Sequence, residues 1–345
     1  MKILFLFCDM LRANKLKVVN NNINVYTKID KWFLNFGGTI YQNCYTPAPD
    51  TPRSMACLYS GYYPKTNGCI NRIEWPKYYL NNKIKNIFDL FNDKNFTIYS
   101  NFQEDEISTG ILPRNAKVKN FKTLYEILYG IPKDNKDNQL IFINIPDYHT
   151  CVDDYYAMPI AAKIAYKKIV NSFNEIFNYF HKDYFDYSFI FSDHGCIHSD
   201  DKKIDYPLRL LDDNRSKIYL QMRKKEENTI KYQKNICSIM DIFPTLMDIL
   251  KYPNSLSMDG KSLFKTIENR FLIFEDQSQF PPGLGGYHDI WAYIDKNYFY
   301  FESLDDSKLY KNNRGKTNLI LQNETVKNSN IINNIREILL NKSSS

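Results

Sequence analysis

At 345 residues the chain is long enough to bury a large core, either as one domain or as a domain with an appendage. Its 43% hydrophobic and 24% charged residues exclude a disordered or fibrous chain and describe a globular one. The net charge of +6 comes from lysines scattered among asparagines, which argues against a nucleic-acid partner and leaves a mild preference for anions.

The opening "KILFLFC" (residues 2–8) is a continuous apolar run, the pattern of a strand buried on both faces of a parallel sheet. It is too short for a signal peptide or a membrane span, and no later segment reaches the about 18 apolar residues that a spanning helix needs. "YTKIDKWFLNFGG" has apolar residues at helical spacing and a glycine stop, and "TIYQNCY" reads as a short strand. In "YTPAPDTPRSMACLYSGYYP" (45–64), an extended stretch turns into a helix that ends at Gly61. Pro52 suits the first turn of that helix, which makes Thr51 the expected N-cap. Thr51 either only caps or also reacts.

Further along, "IKNIFDLFND" reads as a helix and "FTIYS" as a strand. "QLIFINI" is a second buried strand leading into "PDYHT", where Asp147 and His149 would face the same way if the chain stays extended. Residues 160–181 form a long amphipathic helix, followed by the strand "YSFIFS", then "DHG" and a long polar loop at 196–216. Helices alternating with buried strands imply an α/β fold with a mostly parallel central sheet flanked by helices. After about residue 265 the pattern changes to a small antiparallel sheet ("FLIFED", "IWAYIDK", "NYFYFES") and a closing helix, so we divide the chain into 1–265 and 266–345. Seven cysteines with no CxxC pair and no zinc-ligand spacing read as free thiols, which favours a reducing, cytoplasmic setting.

Three of the strands end in ionisable residues: Asp9 after the first, Asp147 and His149 after "LIFINIP", and Asp193 and His194 after "SFIFS". Ligands of open α/β sheets bind at the carboxyl ends of the strands, and carboxylates plus imidazoles gathered there would hold a divalent cation.

These segments resemble the sulfatase-like branch of the alkaline phosphatase superfamily, over nearly the whole chain. "FLFCDMLRANKL" is similar to the family's opening strand with its metal-binding Asp. "YTPAPDTPRSMACLYSGYYPKTNG" resembles its nucleophile turn and helix, "PDYHT" its Asp-x-His-x-Pro loop, and "FIFSDHG" its second metal segment. "SIMDIFPTLMDILKYPNSLSMDGKSLF" is similar to its Asp-x-x-Pro-Thr helix and Asp-Gly-x-Ser-Leu turn, and "WAYIDKNYFYFES" to its C-terminal strands.

The departures from the family pattern are informative. Sulfatases carry a Cys or Ser at the nucleophile position, converted to formylglycine. Here that position is Thr51, which cannot be converted, and Met55 stands where the family has Arg. Met10 likewise replaces an expected polar residue. The superfamily's phosphodiesterases and phosphotransferases use Thr, and the Asp193–His194 pair points the same way. The resemblance therefore implies a metal-dependent phosphoester hydrolase or phosphotransferase with Thr51 as nucleophile. Asp9, Thr51, Asp193 and His194 would be the metal ligands, and His149 would contact the transferring group or protonate the leaving oxygen.

The metal would be Mn²⁺, Zn²⁺, Mg²⁺ or Ca²⁺, one ion with a second left open, and the substrate a small soluble phosphoester. Asp147, His198, Lys203 and Arg12 are further candidates for substrate contact. His198 is read as a substrate ligand, a second-metal ligand or a solvated loop residue. Lys202 or Lys203 is an anion-binding cation or a surface lysine, and Arg12 binds an anion or pairs with a carboxylate. His288 borders a glycine-rich loop. The competing readings are a sulfatase without formylglycine and a binding module that keeps the fold and the metal without turnover.

Overall fold

The structure, a computed structural model, describes residues 1–71, 79–102, 117–133, 136–201, 211–253, 257–278, 288–303, 307–312 and 329–344. Its centre is an eight-stranded sheet in the order β10-β2-β9-β7-β1-β6-β4-β5. The strands are β1 (Lys2–Cys8), β2 (Gly38–Tyr41), β4 (Thr97–Ser100), β5 (Lys119–Asn120), β6 (Gln139–Ile145), β7 (Tyr187–Phe191), β9 (Leu220–Lys224) and β10 (Ile230–Gln233). β1 lies between β6 and β7 and is parallel to both, whereas β9 runs antiparallel to β7 and β2. A small sheet, β11-β3-β8, joins Cys237–Ser238, Cys44–Tyr45 and Lys217–Ile218.

The unbroken apolar run of β1 follows from burial on both faces. Ile3, Phe5 and Phe7 enter one core and Leu4, Leu6 and Cys8 the other, the two-residue alternation of a pleated strand. Phe5 packs edge-on against Phe142 of β6 and Phe189 of β7, each at a ring separation of 5.3 Å. The Leu4 face is covered by α1 (Lys28–Phe36) and the long helix α5 (Pro159–Tyr179). The Phe5 face is covered by α2 (Thr51–Ser60), α3 (Ile87–Asp93) and α6 (Ile242–Ile249). Between them in the chain comes α4 (Asp147–Asp154), directly after β6.

The C-terminal sheet is antiparallel, in the order β12-β13-β14-β15, from Leu272–Ser278, His288–Ile294, Tyr298–Glu302 and Ser307–Lys311. One face, with Phe274, Ala292 and Phe301, joins the Phe5 core; the other, with Ile273, Tyr300 and Leu309, is covered by the closing helix α7 (Ser329–Ser344). All seven cysteines are buried free thiols, as their spacing implies. Among the described residues no helix is long and apolar enough to cross a membrane.

Two local expectations change. The N-cap of α2 is Asp50, not Thr51: Asp50 is extended (φ −145°, ψ 156°) and its carboxylate accepts the Arg53 N–H. Thr51 is therefore the first helical residue and Pro52 the second. The "PDYHT" segment is also helical rather than extended, since it opens α4.

Candidate metal and nucleophile site

Asp9 leaves the end of β1 and Asp193 and His194 leave the end of β7, the strand beside it. Their ligand atoms lie within 4.8 Å of one another, and all three residues are buried. The next residue, Met10, adopts a left-handed conformation (φ 62°) that turns its N–H onto Asp193 Oδ1 at 3.0 Å. A non-glycine residue held there costs about 1–2 kcal/mol, and such strain is retained where the surrounding structure over-determines it. Asp193 Oδ1 also accepts the His194 N–H at 2.8 Å.

Of the remaining oxygens, neither Asp9 Oδ1 nor Asp193 Oδ2 has a well-formed hydrogen bond among the described residues, although both are buried; the Thr51 hydroxyl acts on Asp193 to lower its pKa and His194 Nε2 lies 3.4 Å from Oδ2. Burial is the largest influence on Asp193 and raises its carboxyl pKa, with the nearby Asp9 adding to the rise. Two converging carboxylates with orphaned buried oxygens fit a divalent cation, which would satisfy both.

His194 completes the group. Its Nδ1 is 2.7 Å from the Gly195 carbonyl, so Nδ1 carries a proton and, in the neutral ring, Nε2 presents its lone pair. That Nε2 lies 3.3 Å from Thr51 Oγ1. Thr51 thus sits beside the Asp9, Asp193 and His194 group. Because Asp50 supplies the cap, the Thr51 hydroxyl has no capping role. Met55, at the position of the family's Arg, is fully buried in the apolar core.

Gly195 is required by a close approach. A Cβ there would stand 2.1 Å from the Asn214 carbonyl oxygen, and the Gly195 N–H donates to the Arg215 carbonyl at 2.8 Å. Gly195→Ala is expected to destabilise the fold by about 1–3 kcal/mol through overpacking, read as a lowered Tm.

His149 reaches the site from α4. Its Nδ1 is 2.8 Å from Asp9 Oδ2 and its Nε2 is 3.4 Å from Asp153. The hydrogen bond to Asp9 lifts its pKa to about 9 against the opposing effect of partial burial, so the ring is a proton donor at neutral pH. Asp147 does not join it. Successive helical residues are about 100° apart, which turns Asp147 roughly 200° away from His149. Asp147 instead faces Lys168 and Ser172 of α5, and burial raises its pKa.

His198 is neither solvated nor a member of the metal group. It is 4% exposed, with Nε2 3.1 Å from the Tyr148 hydroxyl. Burial, followed by the charge of Arg12, lowers its pKa to about 4. That neighbouring guanidinium opposes a second cation at this point. Arg12 resolves to the carboxylate reading: it is fully buried, donates to Asp201 at 2.6 Å and also binds Asn214. Lys202 and Lys203 lie outside the described residues; His288 begins β13, and its side chain also lies outside them.

Several residues at the site escaped the sequence reading. Ser54 donates from Oγ to the Asp193 carbonyl oxygen at 2.8 Å and accepts from Thr46 at 2.7 Å, tying α2 to the segment that leaves β7. Arg53 binds Asp50 and, at 2.8 Å, Asp276. Arg215 donates to the Pro49 carbonyl at 2.7 Å and to Asp276 at 3.1 Å. Only the Asp50 cap had a local signal, since Asp-Thr-Pro-Arg suits a helix start at Thr51 as well as at Pro52.

No family model matches the chain, and no curated protein matches it. Solved structures do. A 2-O glycosaminoglycan sulfatase matches at a TM-score of 0.73 and 14% identity, covering 99% of this chain and 92% of the other. The phosphonate monoester hydrolase of Silicibacter pomeroyi matches at a TM-score of 0.71 and 11% identity, covering 99% and 95%. An alkaline phosphatase superfamily protein from Vibrio parahaemolyticus matches at a TM-score of 0.62 and 12% identity, covering 96% and 83%. The chain has the fold shared by sulfatases and alkaline phosphatase superfamily hydrolases.

Proposed function

We propose that the chain is a divalent-metal-dependent phosphoester hydrolase or phosphotransferase acting through a phospho-threonine at Thr51. The observation that carries this reading is the Thr51 hydroxyl, 3.3 Å from His194 Nε2 and free of any capping role. The shared fold includes phosphonate monoester hydrolases, which supports it.

Asp9, Asp193, His194 and Thr51 would hold the ion. When bound, it would lower the pKa of the Thr51 hydroxyl and neutralise charge on the phosphoryl group. Thr51 Oγ1, its proton released to solvent, attacks phosphorus, the P–O bond to the leaving group breaks, and the phosphoryl group resides on Thr51. His149, anchored to Asp9, gives its proton to the departing oxygen. A water or an acceptor hydroxyl then gives its proton to His149 and attacks phosphorus, the P–O bond to Thr51 breaks, and phosphate or the transferred phosphoester leaves. The first turn of α2 contributes less than a bare helix end would, because Pro52 has no N–H and Asp50 occupies that of Arg53. The substrate in this reading is a small soluble phosphoester, and the buried thiols suit a reducing compartment.

Two carboxylates, one imidazole and one hydroxyl suit Mn²⁺ or Zn²⁺ better than Ca²⁺, which takes six to eight oxygens. The second reading, a sulfatase, is favoured by the sulfatases that share the fold. Against it, Thr51 lacks the second hydroxyl on one carbon that lets a formylglycine hydrate expel sulfate. Chelator-treated protein should regain turnover of phosphomonoesters or phosphodiesters with Mn²⁺ or Zn²⁺ and show none on aryl sulfates. Aryl sulfate turnover without phosphoester turnover would overturn the proposal, and binding of metal and phosphate with no turnover at all would favour the non-catalytic module.

A further inference from the structure

Thr51 and the metal-ligating pair come from different parts of the fold. Asp193 and His194 end a strand of the central sheet, whereas Thr51 follows the small three-stranded sheet. Something must hold the hydroxyl at 3.3 Å from His194 Nε2. We infer that Arg215 and Asp276 form a clamp that positions the nucleophile against the metal group, with the C-terminal sheet as its anchor. The inference rests on Thr51 being the nucleophile.

The main chain of Arg215 belongs to the metal side, because its carbonyl accepts the Gly195 N–H directly after His194. Its side chain belongs to the nucleophile side: Nη2 donates to the Pro49 carbonyl, two residues before Thr51, at 2.7 Å. Nη1 donates to Asp276 Oδ2 at 3.1 Å, while Asp276 Oδ1 accepts from Arg53 Nη2 at 2.8 Å. One carboxylate on β12 therefore fastens two guanidiniums, one beside the metal loop and one on the first turn of α2. The strand is itself tied to the segment leading into that turn, since the Glu275 N–H donates to the Pro47 carbonyl at 2.8 Å.

Burial makes the arrangement stiff. Asp276 is 3% exposed and Arg53 is fully buried, so neither can exchange its partner for water. Arg215 and Asp276 act through the Pro49–Arg53 turn and are positioning residues. A displacement of about 1 Å at a nucleophile costs on the order of 100-fold in rate, so loss of the clamp should appear in kcat.

Arg215→Met and Arg215→Lys test this in the full chain, with Asp276→Asn as a second variant should Arg215→Met fold poorly. Crystal structures should show Thr51 Oγ1 displaced from His194 Nε2 in Arg215→Met, with Asp9, Asp193 and His194 in place. Mn²⁺ titration calorimetry should give an affinity close to that of the parent. With p-nitrophenyl phosphate, kcat should fall about 100-fold in Arg215→Met with little change in KM, and Arg215→Lys should recover part of it. A Thr51–His194 separation unchanged in the variant overturns the inference. So does a rise in KM at constant kcat, which would make Arg215 a substrate contact, or a lowered Tm with parental kcat. Should the parent turn over no phosphoester, the functional reading fails, while the crystallographic separation still decides the clamp.

Discussion

Thr51→Ala is expected to abolish phosphoester turnover, by at least about 1,000-fold, while the protein keeps its fold. The cap assignment makes this variant decisive. If Thr51 capped α2, alanine would remove the cap and the nucleophile together, and the cap alone contributes about 1 kcal/mol. The structure gives the cap to Asp50, so Thr51→Ala removes a hydroxyl and a methyl at the first helical position, where alanine is well tolerated. Its Tm should stay near that of the parent. Thr51→Ser keeps the hydroxyl and should retain measurable turnover. Rapid quenching of the parent with labelled substrate should trap phosphate on residue 51. A Thr51→Ala enzyme within tenfold of the parent would remove Thr51 from the mechanism.

Asp193→Asn should give a protein that is inactive and, without metal, more stable than the parent. In the parent, Asp193 Oδ2 is buried without a well-formed hydrogen bond and lies 3.4 Å from His194 Nε2. In the neutral ring that nitrogen offers a lone pair, because Nδ1 carries the ring proton. An asparagine can keep Oδ1 on the Met10 and His194 N–H groups and donate its amide to His194 Nε2. It thereby replaces an orphaned buried oxygen with a hydrogen bond, worth about 1–3 kcal/mol. The metal response should vanish. A ligand at 100 times its Kd stabilises a protein by about 2.7 kcal/mol, and this upward shift in Tm should be present in the parent and missing in Asp193→Asn. Destabilisation in metal-free buffer together with an undiminished metal shift would mean that the cation binds elsewhere.

What could be read from the sequence follows from how local each cause is. β1, β6 and β7 were legible because burial on both faces leaves an unbroken apolar run, and the ligands directly after them inherit that clarity. β9 was not, because "LQMRK" carries polar residues into the interior: Gln221 donates to the Phe33 and Gly37 carbonyls, and Arg223 is fully buried. Polar residues that are buried because they cross-link distant segments look like surface residues in a one-dimensional pattern. The same limit hid the link between Arg53 and Asp276, which are 223 residues apart. The α4 error had a different origin. Asp147 and His149 were read as continuing the extended chain of β6, but the helix starts at Asp147, directly after Pro146.

The central place of β1 also governs how the chain must assemble during synthesis. Ile3 pairs with Leu140 on one side and Tyr187 on the other, so β1 has no neighbour until these much later strands are available. At about 5–20 residues per second, β7 is completed roughly 10–40 s after β1 leaves the ribosome. Until β6 and then β7 are made, the six apolar residues of β1 await their partners, and pairing across such sequence distances is intrinsically slow. The metal group, split between these same two strands, cannot exist before they meet. A metal held there would therefore be captured late in folding, as a ligand of the finished sheet and not as its nucleus.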